Sequence, residues 1–181
     1  YIAADLLSQA EHGSGKEKIF LVSTSAKLVE SVRGKISELA PTLSRAEKLL
    51  KIISDGCYVA VVPNIKAAIE TANYIAPEHM ELHVKDAAKL ALKITTAGAI
   101  LVGEDTPTVL GDFTAGPSHT LPTGRTGRFS GGLQLVDFMR RSSFVKYDKK
   151  SLAKAKDVVA AFSAMETLDA HGNSLLERLK K

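Results

Sequence analysis

A single cysteine, no tryptophan and only 6% aromatic residues set narrow limits on what this 181-residue chain can be. One thiol, Cys57, cannot close an internal disulfide, which excludes a disulfide-stapled scaffold and fits a reducing cytoplasm. It lies between Gly56 and the apolar run Tyr58-Val59-Ala60-Val61-Val62 and is expected to be a small buried apolar residue. The scarcity of aromatics also weighs against nucleic acid as a partner. Such surfaces concentrate basic residues with aromatics between them, whereas here the lysines are dispersed among acids, as in Glu11 to Lys18 and Lys146 to Lys156. The net charge of +4 is mild. No apolar run approaches the roughly 18 to 20 residues that span a bilayer, so no membrane partner is expected. The start, Tyr1-Ile2-Ala3-Ala4-Asp5-Leu6-Leu7, lacks the basic region of an export signal. Residues 1 to 10 read as the body of an amphipathic helix with no capping residue ahead of it, as in a chain cut from something longer.

Hydrophobic content of 45% with 24% charged residues is that of a folded protein, one domain or one with a small appendage. Helix and strand alternate. A helix over about 1–12 runs into Gly13-Ser14-Gly15, and Lys18 to Thr24 follows as a strand. Ala26 to Leu39 repeats Leu28, Val29, Val32, Ile36 and Leu39 at helical spacing and stops at Pro41. Ser44 is the expected cap of a helix over about 45–54, before the strand Tyr58 to Val62. Asn64 caps a helix to about Tyr74, Met80 to Val84 is a short strand, Asp86 caps a helix to about Thr95, and Ala99 to Val102 is a strand. Strands separated by helices favour an α/β fold with a mainly parallel sheet flanked by helices, an incomplete Rossmann-like domain over 1–133.

From Glu104 to Gly132 the pattern breaks into Gly, Pro, Ser and Thr with no sustained period, a length that points to function. Beyond it, 134–181 is expected to be a small helical lobe. Leu133 to Met139 suggests a helix, Ser142 to Tyr147 a strand, and about 151–168 a long helix whose apolar face is Val158, Val159, Phe162, Met165 and Leu168. Ala170-His171-Gly172-Asn173 reads as a break before a last short helix.

The chemistry centres on Glu78-His79 in the run Ala76-Pro77-Glu78-His79-Met80-Glu81-Leu82. A carboxylate beside an imidazole supplies two proton-transfer groups, and the proline keeps the segment out of a helix interior. The dipeptide alone is common, and its weight comes from its company. Gln9 and His12 share one face of the first helix about a turn apart, although from this segment alone a helix end in solvent is the better explanation. Gly111-Asp112-Phe113-Thr114-Ala115-Gly116-Pro117-Ser118-His119 has the glycines and proline to turn Asp112 and His119 towards one cleft, while Asp after Gly is also a routine turn. Leu121-Pro122-Thr123-Gly124-Arg125-Thr126-Gly127-Arg128-Phe129-Ser130 lacks the lysine and hydroxyl of a P-loop and is expected to be a mobile lid or an interface loop. Glu166 and His171 bracket the expected end of the long helix, where a surface acid and a dipole-favoured histidine are the bland alternative. His83 is expected to be an ordinary strand residue.

Together these segments, with Ala3-Ala4-Asp5-Leu6-Leu7-Ser8-Gln9-Ala10-Glu11-His12-Gly13 at the start, resemble the C-terminal portion of histidinol dehydrogenase, in the order in which that family carries them. The resemblance implies a zinc- and NAD-dependent enzyme of histidine biosynthesis that oxidises L-histidinol through histidinal to L-histidine. It implies zinc ligation by Gln9, His12, Asp112 and His171, one ion per subunit, with His171 reaching the partner of a domain-exchanged homodimer. It assigns substrate contacts to Gln9, His12, His79, Asp112, His119, Glu166 and His171, and proton transfer to Glu78 and His79. The family's chain is more than twice as long, so most NAD contacts are expected upstream of Tyr1 and the isolated chain is expected to be inactive. Arg125 and Gly127 depart from the smaller or alanine-like residues expected there. A zinc dehydrogenase of another small alcohol and a non-catalytic metal-binding or dimerisation module are the alternatives; the ring-binding role implied for Glu166 argues against the first.

Overall fold

The spacing of Ala3, Leu7 and Ala10 puts three side chains on one face of α1 (Ile2–Ala10), and all three are buried. A computed structural model of the chain describes every residue except Gly13, the first residue of the expected stop after α1, and Lys181. The buried face of α1 packs with Val32 and Ile36 of α2 (Ala26–Leu39), Leu49 and Ile52 of α3 (Ala46–Gly56) and Ile19 of β1 (Ile19–Ser23) in one core. Ser25 caps α2 by accepting from the Leu28 amide at 3.2 Å. Ser44 does not cap α3: Arg45 occupies that place, with no side-chain cap, after a 3-10 turn at Ala40–Thr42.

The strands are parallel, as the alternation of elements requires. They form two separate pairs among the described residues, β1 with β2 (Cys57–Val61) and β3 (His79–Leu82) with β4 (Ala99–Val102). Around them lie α4 (Ile65–Ile75), capped by Asn64, and the short α5 (Ala87–Ala91). Tyr58, Val59 and Val61 of β2 remain exposed, and the Tyr58 ring stacks on Phe20 at 5.3 Å. Cys57 is half-buried against the core, and burial raises its thiol pKa.

Helix α4 ends with Ala76 in the left-handed region at φ 50, next to Pro77. Asn73 in its last turn donates to the Lys93 carbonyl and accepts from the Thr95 amide, both at 2.9 Å. This fastens α4 to the segment leading into β4. The β3–β4 ladder extends backwards through two hydrogen bonds, Gly98 amide to Pro77 carbonyl at 3.0 Å and Ala99 amide to Glu78 carbonyl at 2.8 Å. Gly98 is required there: a Cβ would lie 2.7 Å from the Glu78 carbonyl and 3.0 Å from the Pro122 ring.

The stretch 104–132 is less irregular than its composition suggests. It contains α6 (Thr108–Phe113), which holds Gly111 and Asp112 on a helix and not in a turn. The reason is tertiary, because Glu81 anchors the first residue of α6, as described below. The segment Leu121 to Ser130 is tied down at several points. Arg125 and Arg128 both donate to the Tyr74 carbonyl, and the Arg125 guanidinium lies 4.8 Å from the centre of the Tyr74 ring. Arg125 does this from the left-handed region, φ 70, a backbone cost that its two contacts offset. A Cβ at Gly127 would collide with the Thr96 carbonyl.

The chain forms two compact units, 1–138 and 139–181. Within the second, the expected strand over 142–147 has no regular structure, and the expected helix over 133–139 is only a 3-10 turn at Leu135–Phe138 ahead of the boundary. The expected long helix is two, α7 (Lys149–Lys154) and α8 (Lys156–Met165). The break falls at Thr167 (φ 54), so His171 and Gly172 lie inside α9 (Asp169–Leu179). The packed stripe of α8 is also shifted: Ser163 is buried, and a Cβ at Gly172 of α9 would lie 3.3 Å from it. Small residues let α8 and α9 approach closely, while Val158, Phe162 and Met165 stay exposed.

Two glycine substitutions should therefore have opposite signs. Gly98→Ala should lose about 1–3 kcal/mol by forcing apart the Glu78 carbonyl and Pro122. Gly34→Ala, exposed inside α2 with open space around its Cβ position, should gain about 0.5–1 kcal/mol. Urea denaturation of both variants checks this.

Candidate functional site

Alternation along β3 places His79 and Glu81 on one face, and His83, just past the strand, continues it. Met80, on the opposite face, is buried. The Pro77 and Glu78 hydrogen bonds to the start of β4 hold the backbone at the head of this strand, so Glu78 enters half-buried beside His79.

Asp112 of α6 faces His79. Its Oδ1 lies 3.7 Å from His79 Nε2, and the two side chains are 20% and 15% exposed. That separation is too long for a direct hydrogen bond and leaves both groups free to engage a common small group. The orientation of α6 has an identifiable cause. The amide and hydroxyl of Thr108, at its first position, both donate to Glu81 Oε1 at 2.7 Å. Asp112 follows Thr108 by one helical turn and so projects from the same face.

Glu81 Oε2 lies 3.1 Å from His83 Nε2, which is also 3.3 Å from Asp5 Oδ2 on α1. Asp5, Glu81 and His83 thus bring three potential ligand atoms within 4.8 Å of one another. Burial pushes the Glu81 carboxyl upward, but the hydrogen bonds from Thr108 and His83, joined by Asp5, hold it below the ordinary value. Asp5 moves the other way. Burial first, then the Glu81 charge and a hydrogen bond shared with Glu81, raise it, with His83 opposing. The two carboxyls face each other, so the ionisation of one bears on the other.

Of the residues expected at a site, the structure brings His79 and Asp112 face to face, with Glu78 adjacent in sequence. Gln9 lies one turn beyond Asp5 on α1, and its amide nitrogen is enclosed without a hydrogen-bond partner. His12 is exposed in the turn after α1, and His119 is exposed beyond α6. Glu166, the C-cap of α8, and His171, in the first turn of α9, belong to the second unit, and both are exposed. A concavity of about 390 Å³ is lined by Thr120 to Pro122, Ser130 to Gln134, Val136 and Asp137. Its one acid, Asp137, accepts from the Gln134 amide.

Asp5, Glu81 and Thr108 carry no motif signal for a site, and His83, expected to be an ordinary strand residue, joins them here. The signal for His83 was the two-residue alternation His79, Glu81, His83. No local signal tied Thr108 to Glu81, 27 residues away.

A family profile described as histidinol dehydrogenase matches residues 1–179. Curated relatives of that name include those of Caldanaerobacter subterraneus subsp. tengcongensis, 41% identical over 98% of this chain and 41% of its own length. The protein from Dehalococcoides mccartyi is 41% identical over 99% of this chain and 41% of its length. The crystal structure of histidinol dehydrogenase from Elizabethkingia anophelis superposes with a TM-score of 0.92 at 30% identity, covering 99% of this chain and 41% of that one. This chain therefore spans about two fifths of the length of the relatives it matches, and it belongs to the histidinol dehydrogenase family.

Proposed function

We propose that the chain carries the metal- and substrate-binding part of an NAD-dependent enzyme that oxidises L-histidinol through histidinal to L-histidine. The observation that carries this reading is His79 set 3.7 Å from Asp112, with Glu78 beside it, in a chain of this family. His79 is suited to take the proton of the substrate hydroxyl on Nε2 as the alcohol is oxidised. Glu78 is suited to take a proton from the water that attacks the aldehyde carbon, with His79 again receiving a proton. NAD, when bound, would accept the hydride of each oxidation, and its contacts are proposed to lie outside these residues.

Zinc fits the groups present. An amide oxygen, imidazole nitrogens and a carboxylate oxygen form an acceptable donor set. Gln9, His12, Asp112 and His171 would hold the ion, which when bound anchors and orients the substrate's imidazole and amino groups. Glu166 would receive the imidazole ring, with His119 as a further substrate contact.

The site is proposed to be completed across a homodimer, His171 acting on the partner subunit. Exposed apolar residues on the second unit support burial against another chain, with Phe144 at 92%, Met165 at 78% and Val145 at 75% exposed. The exposed β2 residues Val59 and Val61 likewise support cover from further polypeptide, since parallel strands are ordinarily covered on both faces. A cytoplasmic location accords with a single unpaired thiol, and among the described residues no helix is long and apolar enough to cross a membrane.

The purified chain should bind about one zinc, and Asp112→Ala and His171→Ala should each lose most of it; unaltered metal content in both variants defeats the ligand assignment. Histidinol and NAD added to the 181-residue chain alone should yield no NADH, as followed at the nicotinamide absorbance. Turnover would show that the NAD contacts lie within these residues after all.

A further inference from the structure

Outside the proposed catalytic groups, Asp5, Glu81 and His83 form a part-buried polar cluster with the buried Thr108. Each of three anchors sits one structural repeat from a residue of the site. Asp5 precedes Gln9 by four residues on α1, Thr108 precedes Asp112 by four on α6, and Glu81 follows His79 by two on β3. Four residues along a helix and two along a strand each return to the same face. A contact at the anchor therefore sets the direction of the site residue on the same element.

We propose that Glu81 is a positioning residue whose one carboxylate, gripped by Thr108, His83 and Asp5, fixes α6, β3 and α1 so that Asp112, His79 and Gln9 face a common site. This rests on the metal- and substrate-binding reading above. Glu81 Oε1 takes both Thr108 donors, and Oε2 faces His83 and Asp5, so both oxygens are committed to holding elements together. The same commitment argues against the cluster being a metal centre of its own: Oε1 is spent on the two Thr108 donors, which leaves Glu81 one oxygen to offer.

The test separates geometry from charge. Glu81→Ala removes the grip. Glu81→Gln keeps the Thr108 part of it, because an amide oxygen can accept both Thr108 donors, while its NH₂ donates to the Asp5 carboxylate and to His83 Nε2 in the tautomer protonated on Nδ1. Zinc affinity of the 181-residue chain, read by competition against cobalt(II) absorption, should fall about 10–100-fold in Glu81→Ala and stay within about threefold in Glu81→Gln. Thr108→Val should weaken binding and Thr108→Ser should restore it, a milder pair should Glu81→Ala not fold. Leu49→Ala, in the core of α1 to α3, serves as a control of lowered stability and should leave zinc affinity unchanged.

Equal losses in the Ala and Gln variants, or a matching loss in Leu49→Ala, overturn the proposal. So does a second ion per chain that disappears in His83→Ala, since the cluster would then be a metal site. A metal-free arm distinguishes failure of this inference from failure of the zinc reading. Nuclear Overhauser contacts between the His79 ring and the Asp112 β-protons should persist in wild type and Glu81→Gln and vanish in Glu81→Ala. If the wild-type chain binds no zinc, the ligand reading fails and this arm alone decides the positioning role. Retained contacts in Glu81→Ala sink it.

Discussion

The pairing of β3 with β4 is the constraint on which the candidate site depends. Its register, His79 with Ala99 and Leu82 with Val102, decides which side chains point to the site and which to the interior. A slip of one residue would bury His79 and Glu81 and expose Met80. The ladder is reinforced where it begins, since the amides of Gly98 and Ala99 reach back to Pro77 and Glu78. Proline cannot donate to a ladder but its carbonyl can accept, so Pro77 sits at a strand entrance without loss. The left-handed turn at Ala76 completes the exit from α4 and delivers Glu78-His79 at a defined angle.

From that strand the polar contacts spread outward. Glu81 reaches α6, His83 reaches Asp5 of α1, and His79 meets Asp112. These are part-buried groups in a lowered dielectric, where satisfied hydrogen bonds specify one arrangement and unsatisfied ones are costly. A helix of six residues such as α6 has little stability of its own, so its two hydrogen bonds to Glu81 bear heavily on whether it forms.

The local elements were legible where periodicity and capping agreed. Ala26 to Leu39, the Asn64-capped helix and Ala99 to Val102 follow the pattern in the chain closely. The failures share a cause. Thr108 to Phe113 was hidden among turn-forming residues because its helix depends on a distant carboxylate. Leu133 to Met139 and Ser142 to Tyr147 have apolar patterns that suggest regular structure, yet Phe138, Phe144 and Val145 are exposed and lack the packing that would stabilise it. On α8 the packed stripe is the small residue Ser163 against Gly172, whereas the large apolar face drew the eye. Of the site, Glu78, His79 and Asp112 could be read from motifs; their supports could not, because Asp5, Glu81 and Thr108 are joined only by the fold.

The close fit at Gly98 ties two distant parts of the chain to a shared fate. Its missing side chain is what allows the Pro122 ring and the Glu78 carbonyl to approach the same few ångströms of backbone. Over generations, neither the loop nor the Glu-His segment can drift independently, because any bulk admitted at this crossing displaces both.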